Sequence, residues 1–225
     1  MGTVREQAAR LDASRIVDAA LTIAARDGAP AVTMRRLGAE LGVDPTAFYR
    51  HFRTKDDLLA AMAERLLERE VEVFEPGPDW RENLRRLYWA GWRVYRGHPG
   101  FAETIARLPE DVPTLARIAD LILAELRQAG LSRRDAALYY HSSVDLIAGT
   151  GLFIAIAPRL AEAEGREEMR RELATLPATS HPAVHEVGDE LYPPVEDVFT
   201  NSVELMLDAI QFRSGKSDQR REEER

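Results

Sequence analysis

Apolar residues recur at three- and four-residue intervals along almost the whole chain, and no alternating, β-branched run is long enough for a sheet strand. A chain patterned this way must bury helix stripes against one another, so the expected fold class is all-α. The punctuation divides it into helices. Ile16, Val17, Ala20, Ile23 and Ala24 form one stripe over residues 12–26, closed by Gly28 and Pro30. Thr33 is placed to cap a helix over 34–41, which Gly42 ends in the left-handed conformation. Asp44 then caps a short helix that has Pro45 at its first position and runs to about His51. Thr54 with Asp57 resembles a capping box and opens a long helix to about residue 74.

A break at Glu75-Pro76-Gly77-Pro78-Asp79 follows. Further helices are expected over 80–96, 101–107, 112–128 and 132–157. One amphipathic helix around Met169, Leu173 and Leu176 comes next, then a loop over 177–194 and a final helix over 194–212. Residues 214–225 are almost wholly polar and are expected to be a disordered tail.

With 225 residues, 45% of them hydrophobic and 30% charged, the chain has room for one large or two small globular domains. It has no cysteine, which excludes disulfides, thiolate zinc sites and a thiol nucleophile. Its first residues are charged and lack an apolar core. Its longest apolar run, 146–157, falls short of the roughly 20 residues of a spanning helix. These features set the expectation of a soluble, cytoplasmic protein with no membrane partner. The net charge of −8 is unevenly spread: residues 1–55 carry 9 Lys/Arg against 6 Asp/Glu, and the acidic excess lies in the rest. Any contact with DNA must therefore run through the N-terminal segment.

That segment holds the strongest motif, TMRRLGAELGVDPTAFYRHFRTK at 33–55. Two short helices around a glycine turn form a helix-turn-helix, whose second helix can enter a major groove about 12 Å wide. Leu37, Leu41, Val43, Ala47, Phe48 and Phe52 make an apolar underside. Pro45, Thr46, Tyr49, Arg50 and His51 are left facing outward. Thr46 and Tyr49 are suited to base edges, and Arg35, Arg36, Arg53 and Lys55 to phosphates. Tyr49 and His51 can donate to the DNA backbone. The amino end of the helix after Thr54 offers free N–H groups to a phosphate. The spacing alone is equally compatible with a plain three-helix unit.

The stretch TMRRLGAELGV…AFYRHFRTKDDLL resembles the DNA-binding domain of the TetR family of bacterial transcriptional regulators, without a gap over about residues 12–62. The resemblance puts Arg35, Thr46, Tyr49, His51 and Lys55 where the family touches DNA; Thr33, Arg36 and Pro45 complete the candidate DNA-binding set. The rest of the chain is similar in layout to the tetracycline-repressor-like C-terminal domain. The shared features are a Trp-led helix at 80, a long helix from 132, a long connection containing LPATSHPAVHEV and a final helix VFTNSVELMLDAI. This implies a two-fold homodimer and a small-molecule effector pocket. The histidines that hold tetracycline and its magnesium are not found, and Val71 stands in the region where one would fall.

Tyr88, Trp89, Trp92 and Tyr95 concentrate aromatic surface on one helix. With His98, Tyr139, His141 and Asp145 they form the candidate effector site, against the plainer reading of core packing. Ala137, His141, Val144, Ala148, Gly151, Leu152 and Ala155 form a candidate dimer stripe on the helix from 132. His181 and His185 have metal-like spacing, but a solvated loop is the favoured reading and no metal or cofactor is assigned. His141, Ser142, Ser143 and Asp145 share one helix with no nucleophile elbow, so no catalytic triad and no enzyme is expected.

The expected organisation is a helix-turn-helix DNA-binding domain over 1–55 and a helical effector-binding and dimerisation domain over 56–213, followed by the tail. The expected function is a transcriptional regulator that binds a palindromic double-stranded operator as a dimer and is released by a small molecule. The alternative is a helical ligand-binding protein or enzyme with no sequence-specific role on DNA.

Overall fold

The computed structural model describes residues 11–109 and 112–223, with side chains to residue 215. Among the described residues every regular element is helical, as the periodicity requires. The α-helices are α1 (Ala13–Asp27), α2 (Met34–Leu41), α3 (Lys55–Glu72), α4 (Trp80–Gly97), α5 (Ala102–Ala106), α6 (Pro113–Gln128), α7 (Arg133–Ile156), α8 (Pro158–Ala161), α9 (Ala163–Ala174), α10 (Pro182–Val187) and α11 (Val195–Glu223). Short 3₁₀ turns join them, and one of these, Pro45–Arg50, carries the candidate recognition residues. The described residues divide into two compact units, 11–74 with 97–109 and 112–118, and 75–96 with 119–223.

In the first unit the caps fall where the residue types require. The Asp12 side chain accepts from Arg15 N at 2.8 Å, and the Thr33 side chain accepts from Arg36 N at 3.2 Å. Thr54 and Asp57 close a reciprocal capping box at the start of α3. Ile16, Ala20, Ile23, Leu37, Phe48, Leu58 and Met62 are sealed from solvent in one core. α3 packs along α1, with Arg69 paired to Asp18 at 2.8 Å, and also against α5. Thr114, in the first turn of α6, donates to Glu64 of α3 at 3.1 Å. The compact unit thus continues well past residue 55, the expected boundary. The apolar stripe Leu58, Met62, Ala63, Leu66, Leu67 and Val71 on α3 is buried, and α1 is one of the helices it meets.

In the second unit α4 buries Leu84, Leu87, Tyr88, Trp92, Val94 and Tyr95. α7 crosses it closely. A Cβ at Gly151 would lie 2.4 Å from the Tyr95 ring, so only glycine lets the two helices approach this far. Gly151 therefore serves packing within the chain rather than the dimer stripe expected of it. α11 meets α4 through ion pairs: Arg85 donates to Glu204 at 2.6 Å, and Arg81 donates to Glu204 at 2.8 Å and to Asp208 at 2.6 Å. No helix among the described residues is long and apolar enough to cross a membrane.

Two stretches differ from the sequence expectation. The loop expected over 177–194 contains α10, which starts at Pro182, a residue whose fixed φ suits a first helical turn. The final helix runs on to Glu223 where a disordered tail was expected from 214. Low hydrophobicity argued for disorder there, but Lys, Gln, Arg and Glu are good helix formers and continue a helix already nucleated by the packed part of α11.

Candidate DNA interface and effector site

The turn between α2 and the 3₁₀ helix is set by two glycines. Gly42 has φ 68° and ψ 31°, the left-handed geometry that L-residues resist, and its N–H returns to Gly38 O. Gly38 lies where the chain folds back: a Cβ there would sit 2.9 Å from Val43 O and 3.0 Å from Pro45 Cγ. The start of the recognition segment is thereby pressed against α2. Phe48 is completely buried and Phe52 nearly so, which anchors the underside.

In a 3₁₀ helix residues three apart eclipse, so Thr46 and Tyr49 stack on one outward edge. Tyr49 is 55% exposed, although it is a large aromatic residue. Asp44 caps the segment with one carboxylate oxygen, Oδ1, which accepts both the Thr46 N–H at 2.8 Å and the Thr46 hydroxyl at 2.5 Å. These two bonds, the hydroxyl's first, hold the Asp44 carboxyl below its ordinary pKa.

The basic residues separate into two kinds. Arg35, Arg53 and Lys55 are exposed on this unit. Arg36 is instead bound to Asp27 at 2.5 Å, and Asp27 also accepts from Arg26 at 2.8 Å. The Arg26 bond leads the causes that hold the Asp27 carboxyl below the usual range. Arg36 thus braces α2 on the end of α1, a pairing that its sequence position among arginines did not signal. Sequence reasoning also missed that Arg50 Nε donates to His51 Nε2 at 3.0 Å. With Nε2 accepting there, Nδ1 is the ring nitrogen left to donate. Thr33 is spent as the α2 cap, and Pro45 begins the 3₁₀ helix.

The candidate effector residues do not form one group. Tyr88 and Tyr95 are buried on the α7 side of α4, and burial pushes each phenol up to about 12. Trp92 stacks on Phe199 of α11 at 4.9 Å, with Trp89 edge-on to both rings. Tyr139 donates to Ala209 O of α11 at 3.3 Å. His141 and Asp145 are exposed on the outer side of α7, among Leu138, Val144 and Phe153, so this chain folds them away from Tyr88 and Tyr95. His98 belongs to the first unit, because the Gly97-His98-Pro99-Gly100 turn carries the chain out of α4. Two polar atoms among the buried aromatics lack hydrogen-bond partners, Tyr88 Oη and Trp92 Nε1. Ser143 Oγ lies near the Tyr88 phenol but donates to Tyr140 O at 2.7 Å. Sequence reasoning did not group Phe199 of α11 with these aromatic residues.

The two histidines of the connecting segment are used separately. His185 Nε2 lies 2.7 Å from Leu176 O, and His181 Nδ1 lies 2.9 Å from Ser180 Oγ.

Residues 16–62 match the model of bacterial regulatory proteins of the tetR family, and residues 75–213 match the tetracycline-repressor-like C-terminal domain. This chain belongs to the TetR family. It is a DNA-binding transcriptional regulator. Among its TetR-family relatives, the HTH-type transcriptional repressor Rv1353c of Mycobacterium tuberculosis is 29% identical over 91% of this chain and 82% of its own length. The tetracycline repressor protein class C of Escherichia coli is 28% identical over 75% of this chain and 78% of its own. The solved structure of ActR from Streptomyces coelicolor in complex with actinorhodin superposes with a TM-score of 0.78 at 25% identity. The match covers 91% of this chain and 99% of that one.

Proposed function

We propose that the protein is a cytoplasmic repressor that binds a palindromic operator as a homodimer and releases it when a small molecule occupies the second unit. The observation that carries this reading is the outward edge of Thr46 and Tyr49. A large aromatic residue stands exposed in the unit that also exposes Arg35, Arg53 and Lys55, on a segment anchored by buried Phe48. Tyr49 and Thr46 meet the bases, while Arg35, Arg53, Lys55 and the His51 Nδ1–H meet phosphates. Arg36 supports the frame.

The dimer is supported by large apolar residues that stand exposed on two long helices. Leu138, Phe153 and Ile156 of α7 are 57%, 54% and 77% exposed; Val198 and Leu205 of α11, seven residues apart, are 45% and 62% exposed. Two copies joined along these helices form a four-helix bundle, and His141 and Asp145 then lie in that interface. The effector is supported by the unpartnered donors Tyr88 Oη and Trp92 Nε1, which a ligand with hydrogen-bond acceptors would satisfy. The names of the relatives, a tetracycline repressor and a regulator solved with actinorhodin, agree with a small-molecule effector.

The test is selection of duplexes from a random pool by the full-length protein, followed by a salt titration. Enrichment of a palindrome whose affinity falls steeply with salt is expected, because each neutralised phosphate releases counterions. No enrichment, or salt-independent binding, would overturn the reading.

A further inference from the structure

We propose that Asp44 sets the base preference of Thr46 by taking its hydroxyl hydrogen, so that Thr46 meets DNA as an acceptor and a methyl group and not as a donor. This rests on the reading that the 3₁₀ helix enters the major groove. A free threonine hydroxyl offers one donor and two acceptor positions and rotates to suit its partner. Here that rotation is fixed. The hydroxyl lies 2.5 Å from Asp44 Oδ1, and an ionised carboxylate can only accept, so the hydrogen points at Asp44. The same oxygen binds the Thr46 N–H at 2.8 Å, which holds the two residues in register. Asp44 in turn is fixed by capping the 3₁₀ helix, with Ala47 N returning to Asp44 O at 2.9 Å.

The major-groove edges then sort the bases. Cytosine presents an N4 amino donor and adenine an N6 amino donor, both of which an acceptor-only hydroxyl can receive. Thymine presents a C5 methyl that packs against the threonine methyl. Guanine presents only the acceptors N7 and O6. Guanine is therefore the base for which Thr46 has no favourable group. An unconstrained threonine would donate to it. Asp44 acts here as a positioning residue: it touches Thr46 and leaves contact with the base to Thr46. Its second carboxylate oxygen adds negative charge beside the same edge, which disfavours the acceptors of guanine in the same direction.

The experiment selects duplexes from a random pool with the full-length wild type and with Asp44→Ala, Asp44→Gly and Asp44→Asn. Every base at each half-site position is then compared by competition binding. In the wild type one symmetry-related position should reject guanine by at least about fivefold, the low end of what a base contact discriminates. Asp44→Ala and Asp44→Gly should reduce that rejection at the same position only; the glycine variant keeps most of the capping strength, so loss of the cap is separated from loss of the lock. Asp44→Asn, whose amide oxygen still takes the hydroxyl hydrogen but which lacks the charge of the second oxygen, should reject guanine less than the wild type and more than Asp44→Ala. Thr46→Val should keep tolerance of thymine and lose that of adenine and cytosine. If the wild type selects a sequence and the alanine and glycine variants show its preferences at every position, the assignment to Asp44 is wrong. If the wild type selects no sequence, the DNA reading fails and this proposal fails with it.

Discussion

Gly38→Ala sets two known effects against each other, and the structure decides the sign. In an exposed helix interior the exchange stabilises by about 0.8–1 kcal/mol, because glycine is a poor helix former. At Gly38, however, the added Cβ would lie 2.9 Å from the backbone oxygen of Val43 and 3.0 Å and 3.2 Å from Pro45 Cγ and Cδ. A backbone carbonyl cannot swing aside as a flexible side-chain end can, and Val43 N is itself tied back to Gly38 O at 3.0 Å. Overpacking of this kind costs about 1–3 kcal/mol. The expected net result is a loss of about 1 kcal/mol, or about 4–8 °C in the melting of a unit of this size. The larger consequence is positional. Relief of the clash moves Pro45, and with it the Thr46–Tyr49 edge, away from α2. Operator affinity of the folded variant should therefore fall by at least about fivefold, the equivalent of one base contact. Scanning calorimetry and fluorescence anisotropy on a selected duplex measure the two quantities. A variant that melts higher than wild type and binds as tightly would refute the argument that contact between α2 and Pro45 positions the recognition segment.

Tyr49→Ala should abolish sequence-specific binding while leaving the melting temperature within about 2 °C, since the side chain is exposed; equal losses of stability and binding would count against it. Arg35→Ala should lower the salt slope of DNA binding by about 1, as for a phosphate contact, whereas Arg36→Ala should leave the slope unchanged and act through the Asp27 brace; equal slopes for the two would remove the distinction. Phe153→Lys with Leu205→Lys should yield a folded monomer by analytical ultracentrifugation, and an intact dimer would move the interface elsewhere. Arg85 and Arg81 hold the Glu204 carboxyl down to about 2, with the Arg85 hydrogen bond the largest cause, so its contribution to the second unit is complete above the ordinary 4.5 and is lost as pH falls towards 2. Glu204→Gln should flatten the acid limb of stability over that range, and an unchanged limb would show that the ion pair is not coupled to folding.

The helix-turn-helix was readable because its local rules agree. Thr33, Gly42, Asp44, Pro45, Thr54 and Asp57 each specify a start or a stop, and each is used that way. The inward and outward faces of the 3₁₀ helix followed from alternating Phe48 and Phe52 with Thr46 and Tyr49. Pairing between charged side chains was not readable. Four arginines stand in the sequence at 26, 35, 36 and 50, and only the folded positions of Asp27 and His51 show that 26, 36 and 50 are engaged. The effector residues were the least legible. Tyr88 and Trp92 lie one turn apart on α4, but Trp92 turns to Phe199 and Tyr88 to Ser143, a division that depends on where α7 and α11 pack. The sequence offered His141 and Asp145, with Tyr139, as polar groups for the aromatic helix, without showing that the first two are exposed.

Photo-cross-linking tests the main assignment most directly. Benzoyl-phenylalanine in place of Tyr49 should cross-link the selected operator in the full-length protein, and the same group in place of Val187, which is 45% exposed in the second unit, should not. Cross-linking from position 187 with none from position 49 would contradict entry of the Pro45–Arg50 segment into the groove.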